Sequence, residues 1–249
     1  LGGAVELWSR VGDDAAGRTI RDGLKSERVD VRYVQGFEGA RSSTSAIIVD
    51  ERGERLIVGQ RDAATPSGTS WLPLERIREA QAVLGDVRWL EGLRAVFQRA
   101  RADGIPTVLD ADLGAREALP EILSLTDYAI FSAPALEDFV PEGDQDARLQ
   151  RVLSLGPLHA GVTLGAEGYL WRERGASGRT PAVAIDAVDT TGAGDAFHGA
   201  FALMLAEGRP TADCARIATL VAALKCRRLG SRAGLPRRSE IETALAGQR

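Results

Sequence analysis

The chain has 249 residues, 44% of them hydrophobic and 27% charged, with 31 Lys and Arg against 35 Asp and Glu and a formal net charge of −4. That balance suits one α/β domain, or a large domain with a small appendage; it argues against a disordered chain and gives no overall basic surface for nucleic acid or anionic lipid. No apolar run approaches the ~20 residues of a membrane span, and two His and two Cys leave few candidates for a zinc centre.

The chain opens at Leu1-Gly2-Gly3 and holds a single Met, Met204, so it reads as part of a longer polypeptide. Val5, Leu7 and Ser9 alternate with Glu6, Trp8 and Arg10, which predicts a strand within Leu1–Val11. Ala16, Ile20 and Leu24 predict a helix over Asp14–Glu27. Short β-prone runs follow at Val31–Gln35, Ser45–Val49 and Leu56–Gly59, with Asp50-Glu51-Arg52-Gly53 as a hairpin turn between the last two. After Pro66-Ser67-Gly68 strands and helices alternate. Strands are expected at Val83–Val87, Pro106–Leu109, Tyr128–Phe131, Gly161–Leu164, Tyr169–Trp171 and Ala182–Ile185. Helices are expected around Leu93–Ala100, Leu119–Leu123 and Ala135–Phe139, then at Gly194–Glu207, Thr211–Arg227 and Ser239–Ala246. Repeating βα units predict an α/β fold, a mostly parallel sheet with helices on both faces, and the short early strands form a small sheet apart. Cys214 and Cys226 then share one helix, 12 positions apart. At about 1.5 Å per residue that is about 18 Å, too far to bridge, and the chain reads as reduced and cytoplasmic.

The strongest local signal is Asp189-Thr190-Thr191-Gly192-Ala193-Gly194-Asp195-Ala196-Phe197. Small residues between a strand and a helix let the backbone approach a ligand and aim several N–H groups at one point. The helix start adds partial positive charge, which makes a nest for a phosphoryl group. Asp195, in the first helical turn, is then placed to take a proton from an attacking hydroxyl. The plainer alternative is an Asp capping a helix after a glycine turn. Asp110 and Asp112 end a strand and are either ligand contacts or solvated strand ends. His198, one turn after Asp195, and Trp8, Trp71, Trp89 and Trp171 read as packing residues.

Asp189–Ala202 resembles the second signature of the ribokinase-like PfkB carbohydrate kinases at every constrained position. Gly2 and, after nine intervening residues, Gly12 with Asp13-Asp14-Ala15-Ala16-Gly17 resemble the tail of the first signature, and Thr163-Leu164-Gly165-Ala166-Glu167-Gly168 the nucleotide-binding strand and turn. The resemblance implies a ribokinase-like domain over 1–249 with a small β-lid at 31–60, covering the sugar and pairing two subunits into a homodimer. It implies an ATP- and Mg²⁺-dependent kinase with a small-molecule sugar substrate. Asp195 is then the base, and the N–H groups of Gly192, Ala193 and Gly194 the anion hole. Thr163, Gly165 and Gly168 contact the nucleotide, with Ala222 and Lys225 near its base. Glu137 orders Mg²⁺ through water, and Asp189 helps hold a monovalent cation, K⁺, although Gly234 stands where relatives offer a hydroxyl.

The sequence departs from the family at the first signature's glycine pair and asparagine and at the preceding strand, which are absent. It also departs at Pro134-Ala135-Leu136-Glu137, which replaces Asn-x-x-Glu. Ser42–Asp50, Asp86–Trp89 and Ala223–Pro236 look most like the sulfofructose-kinase branch. That likeness implies that Arg88 grips an anionic sugar tail; the alternative is a salt bridge to Asp86 or Asp110. Gly59 stands where that branch has an amide. The rivals are a nucleoside kinase of the same fold, a NAD-binding Rossmann protein, and a sugar-binding relative without activity.

Overall fold

The computed structural model describes residues 1–49, 55–60 and 62–247. The chain divides into two compact units, Gly2–Leu72 and Pro73 onward with Leu1.

In the first unit, β1 (Ser9–Gly12) pairs in parallel with β2 (Val34–Phe37). Between them lies α1 (Ala15–Ser26), started by Asp14, whose carboxylate accepts the Gly17 N–H at 2.7 Å. Such a cap satisfies an orphan donor of the first turn. The same carboxylate accepts from the Ser42 backbone N–H and hydroxyl at 2.8 and 2.7 Å, and the Ser42 hydroxyl accepts from Gly12 N–H at 3.1 Å. Three hydrogen bonds hold the Asp14 carboxyl down at about 2, the Gly17 N–H being the largest cause. Val11, Val31 and Val34 make the small core beneath. β3 (Thr44–Val49) and β4 (Arg55–Gln60) form an antiparallel pair. The expected turn Asp50–Gly53 lies outside the described residues.

The second unit holds a six-stranded sheet in the order β10-β9-β8-β7-β6-β5. β5 (Val83–Asp86), β6 (Thr107–Ala111), β7 (Tyr128–Ser132) and β8 (His159–Thr163) run parallel. β9 (Tyr169–Glu173) and β10 (Ala176–Thr180) run antiparallel to their neighbours. The last strand is a correction: Ala182–Ile185, a short apolar run expected as a strand, has no regular structure, and polar Ala176–Thr180 pairs instead. Apart from this strand, the sequence expectations for the sheet hold within a few residues.

Period-two alternation splits the strands between two cores. Leu109, Ala111, Ala129, Phe131, Ala160 and Val162 face one core. There α2 (Leu90–Asp103), α3 (Leu119–Ser124), α4 (Ala133–Phe139) and α5 (Gln145–Leu153) pack. Val108, Ile130 and Tyr169 face the other, against α6 (Ala193–Ala206), α7 (Thr211–Cys226) and α8 (Arg238–Ala246). Tyr169 is fully buried; its hydroxyl lies 2.7 Å from His159 Nε2, and His159 Nδ1 lies 3.0 Å from Glu173. The ring crosses Gly161 so closely that a Cβ there would sit 1.8 Å from the hydroxyl. Burial lowers the His159 pKa, with Glu173 pulling the other way. Cys214 and Cys226 are buried free thiols on α7. Among the described residues no helix is long and apolar enough to cross a membrane.

Candidate active site

The parallel strands all deliver their C-terminal ends to one edge of the sheet, where ligands of open α/β sheets bind. β5 brings Asp86 and Arg88 there, β6 Asp110 and Asp112, β7 Ser132, and β8 Thr163 with Gly165. The N-terminus of α6 joins them.

Gly192 is the N-cap of α6 and takes φ 79°, a left-handed conformation that costs a residue with a Cβ about 1–2 kcal/mol. The turn swings the first helical N–H groups outward. Ala193 N–H donates to the Thr190 carbonyl at 3.1 Å, so it is committed inside the turn. This corrects the expected donor set. The N–H groups of Gly192, Gly194 and Asp195 have no acceptor among the described residues, and the backbone N–H of Asp195 is a donor that the motif alone does not mark. A Cβ built on Gly194 meets nothing within 4 Å. Asp195 is exposed, and no hydrogen bond or ion pair engages its carboxylate among the described residues.

Half-buried Asp110 has its pKa raised, first by burial and then by Asp195, Asp112 and Asp86 nearby, while His198 pulls it down. Asp110 thus feels the three other carboxylates across the strand ends. His198 is buried in α6. Its Nδ1 lies 2.8 Å from the Gly194 carbonyl and 3.4 Å from Asp110, and its Nε2 lies 3.3 Å from the Ile130 carbonyl. It therefore packs the helix start onto β6 and β7.

Arg88 pairs with neither Asp86 nor Asp110. Its backbone N–H donates to Asp86 at 2.7 Å, but its guanidinium bridges the Asp112 carboxylate and, at 3.2 Å, the Leu113 carbonyl. The Arg88 and Asp112 side chains are 46% and 40% exposed. The Ser132 hydroxyl donates to Asp112 at 3.3 Å and accepts the Ala135 N–H, starting α4. Glu137, further along α4, is exposed and only loosely paired to Arg148 at 3.7 Å. It has the freedom to accept from metal-bound water.

Thr163 ends β8 with its hydroxyl 3.3 Å from the Phe131 carbonyl, and Gly165 is exposed in the turn that follows. Gly168 is buried with φ 92°, and a Cβ would lie 2.1 Å from the Thr180 carbonyl. Residues 180–182 cover it, so its glycine is required by packing. Ala222 packs on the α6–α8 core. Lys225, expected beside the nucleotide base, is 0% exposed, and its Nζ donates to the Asp189 carbonyl at 2.7 Å. The Asp189 carboxylate accepts N–H from Thr191 at 2.8 Å and Gly230 at 2.9 Å. Its pKa is held at about 2, first by the Thr191 N–H.

This arrangement sits in a chain whose residues 1–238 match the model of the pfkB family carbohydrate kinases. The chain belongs to that family. A fructokinase of Klebsiella pneumoniae is 30% identical, aligning over 98% of this chain and 87% of its own length. A ribokinase of Bacillus subtilis is 29% identical over 99% of this chain and 83% of its own. A crystal structure of a candidate ribokinase from Agrobacterium tumefaciens superposes with a TM-score of 0.94 at 36% identity, covering 100% of this chain and 82% of that one. The fold is ribokinase-like and the protein is an ATP-dependent carbohydrate kinase. A Rossmann dinucleotide site is excluded, because the glycine-rich turn opens α6, late in the chain, rather than lying at an early βα turn.

Proposed function

We propose that this kinase transfers the γ-phosphoryl group of ATP to a hydroxyl of a small neutral sugar, a pentose or ketohexose, with Asp195 as general base. The observation that carries this is the unpaired, exposed Asp195 carboxylate standing beside the free N–H groups of Gly192, Gly194 and Asp195. A base for the hydroxyl proton and donors for the transferred charge are what the reaction demands of the protein. Thr163 and Gly165 bind the nucleotide, with Gly168 shaping their turn and Ala222 lining the far wall. Bound Mg²⁺ supplies charge neutralisation of the phosphate oxygens, and Glu137 is the residue suited to hold its water. Asp110 accepts from sugar hydroxyls.

Arg88 and Asp112 act on the substrate as a neutral pair that donates to and accepts from hydroxyls. An anionic hexose such as sulfofructose would have to displace Asp112 from the guanidinium. β3 and β4 serve as the subunit surface of a homodimer: Ile48 and Val58, on one face of the pair, are 58% and 57% exposed. The two buried free thiols suit the reducing cytoplasm.

Sugar-dependent ADP release with ribose, fructose, sulfofructose and adenosine as acceptors tests the reading. Wild type should favour a neutral sugar, and Asp195→Asn should lose roughly 10²–10⁴ in kcat while still binding ATP. Near-native kcat in that variant removes Asp195 as base; preference for adenosine makes the protein a nucleoside kinase; no turnover on any acceptor makes it a binding protein.

A further inference from the structure

Lys225 is the one fully buried charged side chain among the described residues. Lysine is almost never buried unless paired. It lies in the last turn of α7, where the carbonyl end of a helix favours a cation. The partner is Asp189, 36 residues earlier, at the start of the phosphoryl nest.

Asp189 is held on every polar atom. Its N–H donates to the Cys226 carbonyl at 3.1 Å and its carbonyl accepts from Lys225. Its carboxylate accepts from Thr191 and Gly230, with the Lys225 ammonium 3.8 Å away. Thr191 in turn precedes Gly192, and the Thr190 carbonyl takes the Ala193 N–H. Fixing Asp189 therefore fixes the turn that aims the Gly194 and Asp195 donors.

The resemblance to the family implies a monovalent cation at Asp189, but the residues do not fit one. The carboxylate already has one ammonium beside it, and one negative charge against one positive charge leaves no attraction for a second cation. The carbonyls of Lys225, Arg228 and Gly230 crowd Gly234, at 2.9, 3.1 and 2.8 Å from a Cβ position. Two of them are engaged: Gly230 accepts from Gly234 N–H, and Lys225 from Arg228 N–H. Gly234 has no side chain to add a ligand.

We propose that the Lys225 ammonium is a built-in cation that braces the 189–195 turn, so that this kinase works without K⁺. Lys225 is a positioning residue: it acts through Asp189 and the backbone donors. The inference uses the kinase reading only for its turnover arm.

The test compares wild type in KCl and tetramethylammonium chloride at equal ionic strength, reading melting temperature, MgATP affinity by calorimetry, and turnover on ribose or fructose. All three should agree within twofold, or within about 1 °C. A tenfold stimulation by K⁺, or a melting temperature raised several degrees by K⁺ specifically, overturns the proposal. Lys225→Ala, which removes the ammonium and leaves space, should lose at least tenfold in kcat with a smaller change in the KM for ATP, and K⁺ should restore part of the loss. A folded variant with native kcat also overturns it. If Lys225→Ala does not fold, the wild-type salt comparison decides. Absence of turnover in every salt would sink the kinase reading, while affinity and melting still report on the cation.

Discussion

The two glycines of the nest make opposite demands, and substituting each separates folding from catalysis. At Gly194 a Cβ meets no atom within 4 Å and the backbone is not left-handed. Gly194→Val therefore exchanges a poor helix former for a slightly better one, a change of only a few tenths of a kcal/mol. Its melting temperature should stay within about 2 °C of wild type. The new side chain enters space bordered by the free donors, where the proposed function places the transferred phosphoryl group. Displacement of the reacting group by about 1 Å costs on the order of 10² in rate, so kcat should fall at least that far. Gly192→Ala reverses the pattern. Its φ of 79° is strained for alanine, and the added Cβ stands 3.2 Å from Ser231 Cβ. The strain of about 1–2 kcal/mol, at about 2–4 °C per kcal/mol for a chain of this size, lowers the melting temperature by about 2–8 °C. Melting curves and coupled ADP-release kinetics on both variants read the two effects. A Gly194→Val enzyme with native kcat, or one that melts as low as Gly192→Ala, would refute the assignment of that space to the phosphoryl group.

Arg88→Met breaks a half-exposed pair worth about 1 kcal/mol or less, so thermal stability should hardly move while KM for the sugar rises; a collapse in stability would make Arg88 structural. Gly161→Val drives a side chain into the Tyr169 hydroxyl and breaks its contact with His159. Overpacking of this kind costs about 1–3 kcal/mol or more, read as a lower urea midpoint with unchanged KM values. Asp14 and Asp189 have carboxyl pKa values depressed to about 2 from 3.8. Each adds stability fully present above about pH 4 and lost as pH falls through about 2. Wild type should lose urea resistance between about pH 4 and pH 2 more steeply than Asp14→Asn, and equal slopes would remove Asp14 from that role.

Local chemistry carried much of this protein into view. The small-residue turn before Asp195, the Asp14 helix start and the alternation of β5 to β8 are written within a few residues, because caps, turns and period-two patterns act at short range. The helix α5 was not read from the sequence: the Asp144 cap and the buried Leu149 and Val152 mark it, but over nine residues that signal is short. Strand β10 was not legible: as the edge of the sheet it buries little, so Ala176–Thr180 carries no apolar alternation, while the apolar run Ala182–Ile185 forms no strand. What only the tertiary structure decided is where the charges go. Lys225 meets Asp189 across 36 positions and Arg88 meets Asp112 across 24. A charged side chain reads the same in sequence whether it faces solvent, substrate or an ion partner. Its role is set by the dielectric and the neighbours that folding brings to it, and those come from distant parts of the chain.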